Sequence, residues 1–335
     1  MSPRVGVLGG GSWGTALAGV LAANGNDVSI WVRRDEAAAE IAERHTNERY
    51  LPGVTLPETL AATTDLGETV RGREFVLSAC PSHAVRDVLG EAAPLIDGEP
   101  VIVSASKGIE IGTDLRMTEV LRETLGEEVA PRLVVLSGPS FAHELIRGLP
   151  SAMVAASSPE AAALEVQGIF QNSFLRIYTR VDVVGTELGG ALKNVIALAA
   201  GISDGLRLGS NARAALITRG LAEMRRLAIH LGADENTLSG LAGLGDLVLT
   251  CTGDSSRNRT VGLAIGRGED PQDVIEAMEQ VVEGVRTARA VQEMSEELDV
   301  EMPITQAVYS ILYEGMGPRD ALANLMARVP RRERD

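Results

Sequence analysis

The sequence predicts an α/β protein, with a doubly wound, mostly parallel sheet in its first half and an all-helical domain in its second. Three observations carry this. Short apolar runs alternate with amphipathic helical stretches through the first half of the 335 residues, the alternation that builds parallel sheets. A Gly-x-Gly-x-x-Gly motif follows the first apolar run directly. Past residue 186 the pattern becomes long helices without strand-like alternation. The expected domains are 1–186 and 187–330, followed by a charged tail over 331–335 that should fray.

Taken in order, 4–8 reads as a strand, 12–24 as a helix and 27–32 as a second strand. Further strands are expected over 74–79, 100–104 and 132–136, with 151–156 and 174–178 extending or edging the sheet. The stretch 187–208 is rich in Ala, Leu, Ile and Val, and after Glu187 its only charges before Asp204 are on Lys193. It reads as a buried helix with a period near 3.6, softened by Gly201 and Gly205. More helices are expected over 212–231, 271–278, 284–298 and 303–314. No Pro/Ser-rich linker marks the junction, so the two domains should share a tight interface.

Composition excludes several classes. Hydrophobic residues make up 45% and charged residues 23%, as in an ordinary globular protein. No run approaches the ~18 apolar residues of a spanning helix, so no membrane insertion is expected. The N-terminus enters a strand-like run without the pattern of a signal peptide. With only Cys80 and Cys251, read as buried fillers rather than nucleophiles, a reduced cytoplasmic setting is expected. A net charge of −15 argues against nucleic-acid partners. If the ligand is an anion, local positive groups must overcome that field. The four histidines show no ligand spacing, and no metal is expected.

The motif is Gly9-Gly10-Gly11-Ser12-Trp13-Gly14. It sits between a strand and a helix, the context that makes such a match meaningful. Gly9 would permit the tight turn, Gly11 the approach of a pyrophosphate, and Gly14 close packing of helix on strand. Exposed N–H groups at the helix start would bind the anion. At the end of the second strand an acid usually holds the ribose hydroxyls of NAD. Here Arg33 and Arg34 stand in that place and suit a ribose 2′-phosphate. NADP(H) is therefore the preferred cofactor, with NAD(H) possible. Asp35 is expected to cap the next helix.

Of the 31 basic side chains, only Lys107 and Lys193 are lysine. Arginine stays protonated, whereas an ammonium can lose its proton when desolvated or crowded. The two exceptions are thus candidates for proton chemistry. Lys107 follows a strand in Ser104-Ala-Ser-Lys-Gly108 and is placed to meet substrate. Lys193 lies near the start of the apolar helix, where a charge needs a partner or a polar cavity. Asp246 is the candidate partner. A cavity lined by Lys193, Asn194 and Asp246 is preferred over a purely structural ion pair. Ser255-Ser-Arg-Asn-Arg259 concentrates anion-binding groups. Alone it is an ordinary helix N-terminus, but beside a dinucleotide motif and two singular lysines it reads as a phosphate site.

Together these motifs resemble the bacterial NAD(P)-dependent sn-glycerol-3-phosphate dehydrogenases. The resemblance runs nearly end to end, through Ser137-Gly-Pro-Ser-Phe-Ala142, Gly189-Gly-Ala-Leu-Lys-Asn194, Asn211-Ala-Arg213, Leu241-Ala-Gly-Leu-Gly-Asp-Leu247, Ser256-Arg-Asn258, Gln280-Val-Val-Glu-Gly284 and Glu301-Met-Pro-Ile304. It implies a Rossmann-like N-terminal domain, a helical C-terminal domain for substrate and dimerisation, a homodimer, and a place in glycerophospholipid synthesis. It implies Lys193 as acid/base, with Lys107 and Asp246 beside it. Lys107, Gly138, Ser140, Lys193, Asp246, Ser256, Arg257 and Asn258 fall on substrate positions. Ser12, Trp13, Arg33, Arg34, Tyr50, Lys107, Ala142, Arg257, Val281 and Glu283 fall on cofactor positions. The substrate implied is dihydroxyacetone phosphate. Lys107 would then lower the pKa of Lys193 by like-charge repulsion, and Asp246 would oppose it. Two other readings fit parts of the pattern. One is a related β-hydroxyacid dehydrogenase, such as a ketopantoate or 6-phosphogluconate enzyme. The other is a non-catalytic NADP(H)-binding sensor, which would not need both lysines and Asp246. The Ser-Arg-Asn segment and the motif order disfavour the first.

Overall fold

The computed structural model describes residues 2–278, 280–330 and 332–333. Residues 331, 334 and 335 of the expected tail lie outside them. One sheet contains β1 (Arg4–Leu8), β2 (Asp27–Trp31), β3 (Ala61–Thr63), β4 (Phe75–Ser78), β5 (Val101–Ser104), β6 (Leu133–Ser137), β7 (Ser151–Ala156) and β8 (Leu175–Arg180). Their order is β3-β2-β1-β4-β5-β6-β7-β8. Pairing is parallel from β3 through to β6, β7 runs antiparallel to β6, and β8 is parallel to β7. The winding reverses between β1 and β4, so the carboxyl ends of these strands open a crevice. β4 and β5 are buried at every residue, because helices cover both faces. The strand β3 was not expected. Three residues at a sheet edge are too few to show alternation.

The second half is helical, as its periodicity predicts. Its central helix, Val183–Gly205, starts four residues before the expected position because Asp182 caps it, accepting the Gly185 N–H at 2.9 Å. Lys193 therefore sits mid-helix rather than near its start. The helix is also long and apolar enough to cross a membrane, with 89% of its most apolar window buried in the protein. The expectation that no segment approaches that length fails here. Scattered Gly, Ser and Thr break the apolar run without making the helix polar. Helices at Asp246–Thr252 and Pro318–Met326 were not anticipated.

Gly201 and Gly205 do not soften the central helix, as the sequence suggested. They let a second helix, Arg257–Gly266, cross it backbone to backbone. A Cβ on Gly201 would lie 2.1 Å from the Arg259 carbonyl oxygen, and one on Gly205 2.4 Å from that of Leu263. From the other side, Gly262 and Gly266 face the Leu198 and Ile202 carbonyls at 2.1 and 2.3 Å. Elsewhere the buried Glu223 carboxylate accepts the Ile304 N–H at 2.7 Å and the Thr305 N–H at 3.2 Å. It caps helix Pro303–Tyr313 from a neighbouring element, and burial pushes its pKa up to about 7.

The two domains interlock. Ile109, in the loop after β5, is 1% exposed and belongs to the apolar core of the helical half. Replacing Gly201 or Gly262 with Ala should lower the melting temperature. Alanine favours a free helix by about 1 kcal/mol, but overpacking main chain costs about 1–3 kcal/mol. Calorimetry that gave an unchanged or higher midpoint would remove the close crossing as the reason for these glycines.

Candidate active site

Lys107 lies in the loop after β5, Gly138 directly after β6, and Lys193 on the central helix. Asp246 opens the short helix Asp246–Thr252. Lys193 Nζ donates to Asp246 Oδ1, and to Thr250 Oγ1 at 2.9 Å. Lys107 Nζ donates to Asp246 Oδ2 at 2.6 Å and to the Gly138 carbonyl at 3.1 Å. One carboxylate, itself 0% exposed, thus bridges both lysines. Gly190 makes room for this. A Cβ there would meet Ser137 Oγ at 2.9 Å and Lys107 Cγ at 3.4 Å. The Ser137 hydroxyl is buried without a hydrogen-bond partner among the described residues.

Burial is the largest influence on Lys193 and pulls its pKa down; the Asp246 charge raises it and the Lys107 charge lowers it again, leaving it at about 8. The sequence anticipated the opposed effects of Lys107 and Asp246, but not that desolvation would exceed both. Thr250 was missed. It stands one helical turn after Asp246, on the same face, which is the signal that would have found it. Cys80 and Cys251 are free and buried, and burial pushes each thiol up to about 12. They are fillers, as expected.

Ser256 caps helix Arg257–Gly266, accepting the Arg259 N–H at 3.2 Å, so 256–258 do open a helix. The Asn258 amide donates to Asn194 Oδ1 and accepts the Gly284 N–H, both at 2.9 Å. Arg257 is exposed and donates to the Val281 carbonyl at 2.8 Å. Glu283 accepts from Ser82 in the other domain, at 3.0 Å from N–H and 2.6 Å from Oγ. Segment 280–284 therefore runs across the crevice, tied to both halves. Ser140 Oγ donates to the Gly138 carbonyl at 3.2 Å.

The glycine loop lies at the crevice mouth. A Cβ on Gly14 would fall 1.9 Å from the Gly9 carbonyl oxygen, one on Gly10 2.2 Å from Val32 Cγ1, and one on Gly11 would meet nothing within 4 Å. Gly9 has φ +116°. The loop is pressed onto the sheet and open only at Gly11. Helix Ser12–Ala23 has no side-chain cap at Gly11, and Trp13 Nε1 is buried without a partner among the described residues. Open backbone donors and an unused indole N–H fit an anionic dinucleotide. Ser12 Oγ donates to the Tyr50 carbonyl at 2.8 Å, so Tyr50 touches this loop through its backbone. Arg33 and Arg34 are exposed beside it. Asp35 is not the cap of the following helix. Arg34 holds that position without a side-chain bond, and Asp35 instead accepts the Thr64 hydroxyl at 2.8 Å. Ala142 opens helix Ala142–Ile146 and packs on the sheet's core.

Residues 4–163 match the family described as NAD-dependent glycerol-3-phosphate dehydrogenase N-terminus, and 182–323 the corresponding C-terminus. The chain belongs to this family. It is 51% identical over 330 residues to "Glycerol-3-phosphate dehydrogenase [NAD(P)+]" of Anaeromyxobacter dehalogenans (strain 2CP-C), covering 98% of this chain and 99% of the relative. The protein of the same name from Geobacter metallireducens is 50% identical over the full length of both. The crystal structure of glycerol-3-phosphate dehydrogenase from Coxiella burnetii superposes with a TM-score of 0.92 at 42% identity, covering 98% of this chain and 99% of that one. A ketopantoate reductase from Ralstonia eutropha JMP134, covering 95% and 99%, reaches only 0.63 at 16% identity. That likeness is one of fold. The expected family and Rossmann-plus-helical fold are borne out, and the enzyme is an NAD(P)-dependent glycerol-3-phosphate dehydrogenase by family.

In this dehydrogenase, changing Asp246 to Asn should leave two ammonium groups facing a neutral amide. Stability at pH 7 should fall by about 3 kcal/mol, as when one partner of a buried pair is removed. The loss should be smaller at pH 9, because Lys193 can then shed its proton. Denaturant melts at both pH values test this. An equal loss at both would mean that Lys193 carries no buried charge.

Proposed function

We propose that the chain interconverts dihydroxyacetone phosphate and sn-glycerol 3-phosphate, with Lys193 as general acid and base. The observation that carries this reading is the buried Lys193 Nζ held between Asp246 and Thr250, with Lys107 on the other oxygen of the same carboxylate. A nicotinamide cofactor, when bound, would supply the hydride chemistry at C2 in either direction. Lys193 gives a proton to the C2 oxygen in reduction and removes it in oxidation. Asp246 orients both ammonium groups, and Lys107 faces the same substrate. Gly138 and Ser140 line the substrate beside it. Arg257, with Ser256 and Asn258, receives the phosphate, which answers locally the opposing net charge of −15.

For the cofactor, Gly9, Gly11, Ser12, Trp13 and Gly14 would hold the pyrophosphate side. Arg33 and Arg34 would receive a ribose 2′-phosphate, so NADP(H) is preferred over NAD(H). Tyr50, Lys107, Ala142, Arg257, Val281 and Glu283 complete the lining. The same reading includes a cytoplasmic homodimer that feeds glycerophospholipid synthesis, with support from the family alone.

Turnover of dihydroxyacetone phosphate with NADPH tests the core of the proposal. Reduction needs protonated Lys193, so kcat/KM should hold below pH 8 and fall as pH rises through about 8, the value to which Lys193 is drawn. Oxidation of glycerol 3-phosphate needs the neutral amine, so its kcat/KM should rise through the same range. Lys193→Arg should lower kcat at least ~100-fold in both directions while cofactor binding persists. Near-normal turnover by that variant would exclude the proton-transfer role.

The arginine pair gives a separate test. The enzyme should show higher kcat/KM with NADPH than with NADH, and the preference should shrink with salt because the contacts are exposed. Changing Arg33 and Arg34 together to Ser should weaken NADPH use and spare NADH use. Equal efficiency of the two cofactors in the unchanged enzyme would assign the arginines to solvent.

A further inference from the structure

Glu187 lies on the central helix six residues before Lys193, about 9 Å along the axis, and touches no group of the reaction proposed above. It is 8% exposed, yet its carboxylate is fully engaged. Oε2 accepts from Arg116 Nη1 and from Thr118 Oγ1, both at 2.7 Å. Oε1 accepts the Thr118 N–H at 2.8 Å. All three donors come from the other domain, where the chain enters helix Met117–Leu125. That entry closes the loop that carries Lys107. Ile109 bridges Arg116 across the loop, and the Glu110 N–H donates to the Leu115 carbonyl at 3.0 Å. Arg86 holds Glu110 from outside with two bonds of 2.9 and 2.8 Å. The loop is thus a stiff hairpin. Its far end is fixed to the central helix at Glu187, its Ile109 is sunk in the helical core, and its near end presents Lys107 to Asp246.

We propose that Glu187 is a positioning residue, which through Arg116 and Thr118 holds the Lys107 hairpin against the central helix and so fixes the Lys107–Asp246–Lys193 geometry. This rests on the function proposed above. A merely structural buried ion pair would stabilise the domain contact and leave the proton donor alone. A positioning role has a different signature. Lys193 faces Asp246, Lys107 and Cys251, and Glu187 faces Arg116 and Glu119. If the hairpin loosens, the Lys107 charge retreats and Asp246 is left to Lys193 alone. Both changes favour the protonated amine, so the pKa of Lys193 must rise.

The test is Glu187→Gln in the full-length chain. The pH profile of dihydroxyacetone phosphate reduction should move its alkaline limb up by about one unit, the scale of a neighbouring charge within ~4–6 Å. At pH 7 kcat/KM should fall at least ~10-fold, in line with the cost of small misplacements. The Kd for NADPH, read by fluorescence titration, should change less than kcat/KM, because the glycine loop is untouched and Lys107 is the one cofactor-lining residue carried by the hairpin. Arg116→Gln should reproduce the shift, and the double variant should be no worse than either single one. Arg116→Gln also stands in if Glu187→Gln does not fold. The pKa of Lys193 is read independently by competitive acetylation and peptide mass analysis, which needs no turnover. A wild type inactive on dihydroxyacetone phosphate would therefore strike the proposed function, and the acetylation series would still decide the role of Glu187. Soluble variants with a lowered melting temperature but an unmoved Lys193 pKa would overturn the positioning role.

Discussion

A single carboxylate organises the protein's interior. Asp246 is fully buried and shared by Lys193 and Lys107. A cation in the middle of an apolar helix is costly on its own, and two cations facing each other without an acid would be worse. The carboxylate makes both tolerable and leaves an excess of positive charge at the crevice. Its helix, the central helix and the loop after β5 must arrive at one point for this to work. That requirement explains why Gly190 has no side chain and why the domains meet without a linker. Burial then sets the ammonium near neutrality, where a group can both give and take a proton.

The crevice is spanned by short polar ties rather than by a broad apolar face. Glu283 reaches Ser82 and Ser12 reaches Gln280 at 3.4 Å, while Arg257 holds the Val281 carbonyl from within the helical half. These bonds lie at the mouth. Apolar anchoring lies at the root, through Ile109 and through Val183 and Leu241 packed on Val135, Val154 and Ala156 of the sheet. The arrangement keeps the two halves in register while leaving donors near the surface that can exchange partners with a ligand at small net cost, since a hydrogen bond lost is replaced by another.

Much of this was legible in the sequence, and the failures have physical causes. The strands announced themselves because buried parallel strands are short continuous apolar runs. Lys193 and Lys107 stood out because arginine had replaced lysine everywhere else, and Asp246 because a charge in an apolar helix needs a partner. What stayed hidden depended on partners far away in the chain. Gly201 and Gly205 looked like weak points in a helix, since nothing local reveals Arg259 and Leu263 on the facing backbone. Glu187 and Arg116 are 71 residues apart, and no periodicity connects them. Asp35 looked like a cap from its position alone, but the Thr64 hydroxyl claimed it. The early start of the central helix turned on one capping aspartate, Asp182, in an otherwise unmarked run.

The glycine crossing of helices Val183–Gly205 and Arg257–Gly266 has a consequence for recognition. Main chain rests on main chain there, with no side chains between to compress or repack. One helix carries Lys193, and the other begins with Ser256, Arg257 and Asn258. The span from ammonium to guanidinium root is therefore a fixed gauge, cut in backbone. A gauge of that kind measures its object by length. With the C2 oxygen at Lys193 and the phosphate at Arg257, as proposed above, it would accept a molecule whose oxygen and phosphate are separated by the right number of bonds, and would reject shorter or longer homologues without any wall built to exclude them.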